Sequence, residues 1–436
     1  MEKKVYEIWL SLACTPDSAT FPRLLERFKS AEDVYGAEDW EIRSAIGSKL
    51  SDCTRLVNKD LTSAQRIYNF CITKGVGLLS YFDAEFPEAL KAIKTPPVLL
   101  YYRGKLPDFN SGFYCAIVGT RSLSDYGRIN AFRVGYDMGM AGATIVSGMA
   151  IGIDGVALAG ALAAGAKTVA VLGSGIDVCY PPVHLRLAQE IVKEGCVITE
   201  YAPGTRPDKQ NFPKRNRIIS GLCKATVVVE GSERSGALIT ATYAKEQGRK
   251  VYAFPGNIHS DGSQLTNALI KNGASLCEHA LDIAADHEWD MTPGINYRRI
   301  PTKRNVNMAA VLSEYKVSAV APSDDIYRHS YTPKEPENKP ISEPVPKMPQ
   351  PTADSAPEKT NTNPTSTVSE DRPPLPVIDA EAIRIYKKIP MDVECDVESL
   401  VDDKTDLRAV MKLLLKLQMS RFVIMLPGDK VKRNLK

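Results

Sequence analysis

The stretch FYCAIVGT at residues 113–120 decides the fold that this chain is expected to adopt. It is a β-rich apolar run ending in Gly-Thr, and the helical pattern SDYGRINAFRVGYDMGMAG follows it. Further strand-like runs come next: TIVSG (144–148), KTVAVLGSG (167–175), CVITEY (196–201), ATVVVEG (225–231) and KVYAFPG (250–256). Most of them are continuously apolar, which is typical of parallel strands covered by helices on both faces. Strands and helices that alternate at this spacing predict a doubly wound α/β domain.

The regions on either side of this α/β core differ from it in composition. Residues 1–75 contain short helical patterns in which apolar residues recur at spacings of three and four. The core is expected over residues 76–297. Residues 298–376 are expected to form a disordered, Pro-rich linker, because the segment from 333 to 376 is rich in Pro, Ser, Thr, Glu and Lys with almost no large apolar residues. Residues 377–436 predict a compact helical module that closes with a β-hairpin.

The overall composition excludes several classes of protein. The chain has 436 residues, 44% of them hydrophobic, which suits two or three domains, and its net charge of +3 favours no class of partner. Nine scattered cysteines without a CxxC pair form neither a disulfide framework nor a zinc site, as in a reducing cytosol. Glu7 interrupts the first apolar run, and no apolar run reaches about 18 residues. We therefore expect a cytoplasmic protein with no membrane partner.

A basic segment, NFPKRNRIISG at residues 211–221, concentrates positive charge beside an aromatic ring. Between positions 203 and 217 five basic residues face one acid, although the whole chain carries only +3. We interpret the segment as a loop that suits single-stranded nucleic acid, because cations neutralise phosphates and an aromatic face stacks on any base. From composition alone, a solvated loop whose arginines pair with carboxylates is the alternative.

The junctions after the strand-like runs are rich in glycine: VGTRS, SGMAIGID, LGSGID, EGSERSG and FPG. Helix N-termini expose unpaired N–H groups and glycine lets a phosphate approach, so these junctions predict a phosphate-binding ledge with Arg121 beside it. The dinucleotide pattern GxGxxG fails at Val178, and no nucleophile, base and oxyanion set occurs. Asp154 and Glu230 are expected to cap helices or hold loops. The sequence thus predicts a binding protein without catalytic residues, metal or cofactor.

These motifs resemble the DNA-processing protein A (DprA, also called Smf) family. The resemblance runs through IVGTRSLSDYG, IVSGMAIGID, VAVLGSGIDVCYP, ITEYAPGTRP, FPKRNRIISGL, VVVEGSERSGALITATYA, GRKVYAFPG and NALIKNGA, in order from about residue 116 to residue 274. It implies an extended Rossmann-like core, an N-terminal helical (SAM-like) domain and a C-terminal winged-helix-like module. It also implies a homodimer that binds and protects incoming single-stranded DNA and loads a RecA-type recombinase, in natural transformation or recombination.

Carried over by position, the resemblance implies a DNA pocket made from the strand–helix junctions and the basic segment. Its residues would be Gly119, Thr120, Arg121, Ser147, Gly148, Lys209, Phe212, Lys214, Arg215, Asn216, Arg217, Ser235 and Gly236. The four arginine and lysine side chains at 121, 214, 215 and 217 would contact phosphates, and the Phe212 ring would stack on a base. The amides of Gly119 and Gly148 would complete the cradle.

The chain departs from the family pattern in several places, three of them single positions, and two other functions stay open. Ile151 replaces a usual arginine, Leu158 a common histidine and Leu265 a usual glycine. One alternative is a nucleoside-monophosphate hydrolase of the lysine-decarboxylase-like type, although PGNIHSDG at 255–262 lacks that class's PGGxGTxxE motif. The other is an interaction scaffold acting through its C-terminal module.

Overall fold

The structure, a computed structural model, describes a large part of the chain. The described residues are 2–47, 51–289, 294–301 and 306–317, followed by 384–386, 388–390, 395–401, 410, 413–414, 417, 423–426 and 430–433. They divide between two compact units, Met1–Glu337 and Asn338–Lys436, and each is described by itself.

The first unit begins with short helices, as the spacing of apolar residues predicts. Their bounds are α1 (Lys3–Ala13), α2 (Thr20–Leu25), α3 (Ala31–Gly36), α4 (Asp39–Ile46), α5 (Ser51–Val57) and α6 (Thr62–Lys74). Apolar side chains of these helices, such as Leu10 and Leu24, belong to the same buried cluster as Ile117 and Ile145 of the central sheet. The N-terminal helices therefore pack directly on the α/β core.

A nine-stranded sheet forms the centre of the first unit. Its strands are β1 (Gly77–Ser80), β2 (Leu99–Gly104), β3 (Tyr114–Val118), β4 (Thr144–Ser147), β5 (Thr168–Val171), β6 (Cys196–Thr199), β7 (Ala225–Val228), β8 (Lys250–Ala253) and β9 (Ser275–Leu276). Their order is β1-β2-β6-β5-β4-β3-β7-β8-β9. The strands from β6 to β9 in this order are parallel, while β1 and β2 add an antiparallel edge. Each of the six strand-like runs in the sequence contains one of the strands β3–β8.

Helices cover both faces of this sheet. They are α7 (Glu88–Lys91), α8 (Asp125–Met140), α9 (Ile153–Ala163), α10 (Leu185–Glu194), α11 (Asn211–Gly221), α12 (Gly236–Glu246), α13 (Gln264–Lys271) and α14 (Ala280–Trp289). Alternate residues of β3 enter different apolar clusters: Cys115 and Ile117 join one with α8 and α9, whereas Ala116 and Val118 join another with α11 and α12. The predicted doubly wound α/β core is confirmed.

The prediction placed the start of the linker too early, at residue 298. Residues Tyr297–Arg299 form a short 3-10 turn, and α15 (Met308–Glu314) follows it. Leu312 of α15 is only 8% exposed and joins the apolar cluster of the core. Burial of this side chain stabilises α15. The rest of the predicted linker, 318–376, lies outside the described residues.

The second unit contains a small antiparallel sheet. Its strands are β10 (Cys395–Asp396), β11 (Val423–Leu426) and β12 (Lys430–Arg433), in the order β10-β12-β11. β11 and β12 form the hairpin that the sequence predicts at the end of the chain. Buried apolar side chains, among them Ile385, Leu414 and Val431, form its core. The winged-helix assignment itself stays a prediction.

The described part of the chain offers no candidate for a membrane-spanning helix, since none of its helices combines the necessary length and apolar character.

Candidate nucleic-acid interface

A cleft of about 660 Å³ opens at the carboxyl ends of the central parallel strands. β3 pairs with β4 on one side and with β7 on the other, so the chain reverses its direction of winding at β3. Ligands of open α/β sheets bind at such a switch point, outside the carboxyl ends of the strands. The cleft is lined by Gly119 after β3, Gly148 after β4 and Ser232 beyond β7. The fold thus brings three of the glycine-rich junctions together in one cavity.

The basic segment is a helix, which corrects its interpretation as a loop. α11 begins at Asn211, and Pro213 is its third residue. Proline is tolerated in the first helical turn because the N–H it lacks would have no intrahelical acceptor there. The first turns of α11 line the cleft with Phe212, Pro213, Arg215 and Asn216.

The Phe212 ring lies in the wall of the cleft between other groups. A Cβ atom built on Gly173 would lie 2.7 Å from the ring, so glycine is needed beneath it. The ring centroid is 5.4 Å from that of Tyr180. The Arg121 guanidinium lies over the ring at 5.4 Å, within range of a cation–π contact. Phe212 therefore forms an aromatic platform that carries a guanidinium group.

Arg215 and Asp154 are buried side chains of opposite charge in the lining of the cleft. The Arg215 side chain donates to the carbonyl oxygens of Gly148 and Val171, while Asp154 accepts the Gly148 N–H at 3.1 Å. Burial lowers the pKa of Arg215 to about 10, against the opposing effect of Asp154. Burial also raises the pKa of Asp154, although Arg215 and Arg121 favour its ionised form. A Cβ on Gly148 would lie within 2.7 Å of both charged side chains, so only glycine fits between them.

The exposed cations of the cleft lie on its rim. Arg121 and Lys209, both predicted from the sequence, are exposed and line the cavity. Arg234 is a third exposed cation there, and the sequence reasoning did not single it out. Its position within the glycine-rich junction EGSERSG was the available signal. Because these side chains are exposed, they can pair with phosphate oxygens.

The structure places three of the predicted pocket residues outside the lining of the cleft. Arg217 is 2% exposed and does not line the cleft; its guanidinium forms two hydrogen bonds with Glu200, at 2.6 and 2.7 Å. Ser147 is fully buried, and its hydroxyl donates to the carbonyl oxygen of Ile117. Lys214 is half-buried on α11 outside the lining of the cleft. Residues two apart on a helix point in different directions, which separates Arg217 from Arg215.

The predicted cradle of backbone amides is also only partly available. Of the two amides expected in the cradle, those of Gly119 and Gly148, the Gly148 N–H is already bonded to Asp154. The Thr120 N–H, next to Gly119, donates to the Glu230 carbonyl oxygen at 2.8 Å. The Glu230 carboxylate accepts the Ser124 N–H, which places Asp154 and Glu230 in the loop-holding roles expected for them. Side chains on the rim, more than these amides, are left to contact an anion.

The start of α12 forms another part of the cleft wall. Ser235 caps this helix by accepting the Ala237 N–H, and Gly236 lines the cleft beside it. The Asn216 side-chain amide donates to the Gly236 carbonyl oxygen at 3.4 Å and joins α11 to α12.

The departures from the family pattern lie in different surroundings. Ile151 lines the cleft and is half-buried. Leu158 is fully buried in α9, and Leu265 packs beneath the turn at Gly231 with 2% exposure. Only Ile151 therefore changes the surface of the cavity.

Comparisons with known proteins agree with this architecture. A family model described as DNA recombination-mediator protein A matches residues 77–288. The DNA processing protein DprA of Streptococcus pneumoniae is 42% identical over 212 residues, which are 48% of this chain and 74% of that protein. DprA of Bacillus subtilis is 38% identical over 210 residues, 48% of this chain and 71% of that protein.

A solved structure extends this likeness to the fold. The X-ray structure of the Streptococcus pneumoniae DprA matches with a TM-score of 0.58 and 33% identity, over 66% of this chain and 99% of that one. The chain therefore belongs to the DNA-processing protein A (DprA/Smf) family.

Proposed function

We propose that this protein binds single-stranded DNA in the cleft at the carboxyl ends of β3, β4 and β7. The observation that carries the proposal is the combination of an aromatic platform, Phe212, with three exposed cations on the same cavity, Arg121, Lys209 and Arg234. Cations that follow a phosphate chain and a ring that stacks on bases of any identity are the two components of sequence-tolerant binding to single strands. The family's role with DNA supports the same conclusion.

A single strand fits this arrangement better than a duplex does. The bases of a duplex are stacked on one another and paired, so a ring in the wall of a cavity reaches a base face only after the duplex opens. The Phe212 ring lies inside the cleft lining, not on a convex surface. Oligonucleotides that are already unpaired avoid this cost, which amounts to a few kcal/mol per extruded base.

Titration of single-stranded and double-stranded oligonucleotides at several ionic strengths tests the proposal. We expect the single strand to bind more tightly, with log affinity falling against log salt at a slope of about −2 if each of the three rim cations neutralises one phosphate. An electrophoretic or fluorescence-anisotropy titration measures both quantities. Equal affinity for the duplex, or a slope near zero, would contradict binding of a single strand by these cations.

Ile151 offers a gain-of-function variant. Because it lines the cleft, Ile151→Arg should add a cation to the cavity, raise single-strand affinity several-fold at low salt and steepen the slope by about 0.7. The matched control is Ile258→Arg, which adds the same charge at a side chain that is 79% exposed and outside the lining of the cleft. The same gain in both variants would show that the cleft is not where phosphates bind.

We propose binding without chemical transformation of the ligand. In support, the two carboxylates that the sequence singles out at the glycine-rich junctions are engaged by the protein: Asp154 with Gly148 and Arg215, and Glu230 with Ser124. Incubation with nucleoside monophosphates tests the hydrolase alternative, and release of free base would favour it.

We further propose that bound DNA is protected and passed to a RecA-type recombinase, in transformation or recombination, by a homodimer of this chain. The family description as a recombination mediator supports this role. The rate of recombinase assembly on single-stranded DNA with and without the protein tests the mediator role, and light scattering of the eluting protein tests the dimer.

A further inference from the structure

The loop between α1 and α2, residues 14–19, holds one aspartate in an unusual conformation. Asp17 has φ of 57°, in the left-handed region that non-glycine residues seldom adopt. The neighbouring residues Thr15, Ser18 and Thr20 all donate to the buried carboxylate of Asp52. Asp52, in α5, therefore holds the loop against the N-terminal helices. Asp17 is left to face the α/β core.

Asp17 contacts three separate parts of the core. Its Oδ1 accepts the Thr95 hydroxyl at 2.6 Å and lies 3.6 Å from Nε of Arg217 on α11. Its Oδ2 accepts the hydroxyl of Tyr243 on α12 at 2.6 Å. Burial and the bond to Asp17 raise the pKa of Tyr243, so that its hydroxyl keeps the proton it donates. One carboxylate of the N-terminal region is thus joined to both α11 and α12.

These two helices form one wall of the cleft. Phe212, Arg215 and Asn216 line it from α11, whereas Gly236 and Thr240 line it from α12. Arg217 and Tyr243 lie on the same two helices but contact the N-terminal loop instead of the cavity. A contact that bridges the helices behind the wall can therefore set the spacing of the groups in front of it, since packed helices move as rigid bodies.

We propose that Asp17, Arg217 and Tyr243 form a latch by which the N-terminal helices position the DNA-binding wall of the cleft. Asp17 is a positioning residue in this proposal, which rests on the proposed binding of single-stranded DNA. Glu200 completes the latch by holding Arg217 through two hydrogen bonds. Because the latch touches no phosphate, it should change the affinity for DNA but not the number of ions released on binding.

Asp17→Asn tests the latch with little change in shape. Asparagine tolerates a left-handed backbone conformation, so the loop should keep its fold while the charge facing Arg217 is lost. We expect single-strand affinity to fall about three- to tenfold with an unchanged salt slope. We also expect faster amide hydrogen exchange in the first turns of both α11 and α12, a readout that needs no DNA.

Tyr243→Phe removes the link to α12 alone and provides a second variant. If the latch acts as one unit, the double variant should lose little more affinity than either single variant. Asp39→Asn is the matched control, because it removes the same charge from an exposed position in the N-terminal helices. This control should bind single-stranded DNA as tightly as the unmodified protein and show the same amide hydrogen exchange in α11 and α12.

The outcomes separate the latch from the function on which it rests. Failure of the unmodified protein to bind single-stranded DNA overturns the proposed function, and the exchange data still decide whether Asp17 couples the two helices. Binding by the unmodified protein with unaltered affinity in Asp17→Asn overturns the latch alone. Faster exchange in α11 but not in α12 also overturns it, since the bridge requires both.

Discussion

Replacing Arg217 with alanine is expected to lower the free energy of unfolding by about 3–5 kcal/mol, the typical cost of breaking a buried ion pair by removing one partner. The side chains of Arg217 and Glu200 are 2% and 6% exposed, and they are joined by two hydrogen bonds. Truncation would leave Glu200 with an uncompensated charge and would remove the donor to the Thr95 carbonyl oxygen. Urea denaturation measures the loss as a lower midpoint at constant slope.

Lys214→Ala is the control for this variant, because Lys214 lies one turn earlier on the same helix and is half-buried. Its removal should change stability by no more than about 0.5 kcal/mol. The structure gives Arg217 a role in stability, so only its removal should lower the free energy of unfolding markedly. A variant at Arg217 that kept its full stability but bound single-stranded DNA far more weakly would support phosphate contact and refute the buried pair.

Strands β3–β7 could be predicted from the sequence because each is a short, mainly apolar run whose burial on both faces leaves a local signature. β8 is buried only in its second half, at Tyr252 and Ala253. Val118 and Ala116, for example, are buried on one face and Ile117 on the other, so no polar residue interrupts the run. The glycine-rich junctions follow from the same logic, since the chain must turn tightly at each strand end. The local sequence was therefore sufficient to predict these strands and the turns that follow them.

The different roles of the two arginines of α11 could not be predicted from the sequence. Arg215 and Arg217 have the same chemistry and lie two positions apart, yet one faces the cleft and the other faces the loop at Asp17. The partners that decide this difference, Asp154 for one and Glu200 for the other, lie on different elements of the fold. A charged side chain can be buried only where such a distant partner compensates it. A local cluster of charges is therefore read as solvent-exposed, because the partner is not visible in the same stretch of sequence.

The start of the linker was placed before α15 for a related reason. α15 is only seven residues long, and burial of Leu312 against the core stabilises it. Short helices gain most of their stability from tertiary packing, so a window of sequence alone gives little sign of them. Arg234 was missed because its position in the glycine-rich junction EGSERSG does not by itself show that the side chain lies on a cavity.

Arg121→Ala is expected to have the largest effect on binding, a loss of about 10- to 100-fold in single-strand affinity at low salt. This is the affinity equivalent of the roughly 1.5–3 kcal/mol that a hydrogen bond to a charged group contributes. Arg121 is exposed on the rim, so stability should stay within about 0.5 kcal/mol of the unmodified protein. The salt slope should become shallower by about 0.7, because one phosphate contact is lost.

Two further variants distinguish the charge of Arg121 from its shape. Arg133→Ala removes an exposed arginine of α8 that does not line the cleft, and it should leave both affinity and slope unchanged. Arg121→Lys keeps the charge but loses the planar guanidinium that lies over the Phe212 ring. It should therefore keep the slope and still lose affinity, because a lysine cannot pair with a phosphate in bidentate fashion from that platform. If the lysine variant bound as tightly as the unmodified protein, the guanidinium on Phe212 would act only as a point charge.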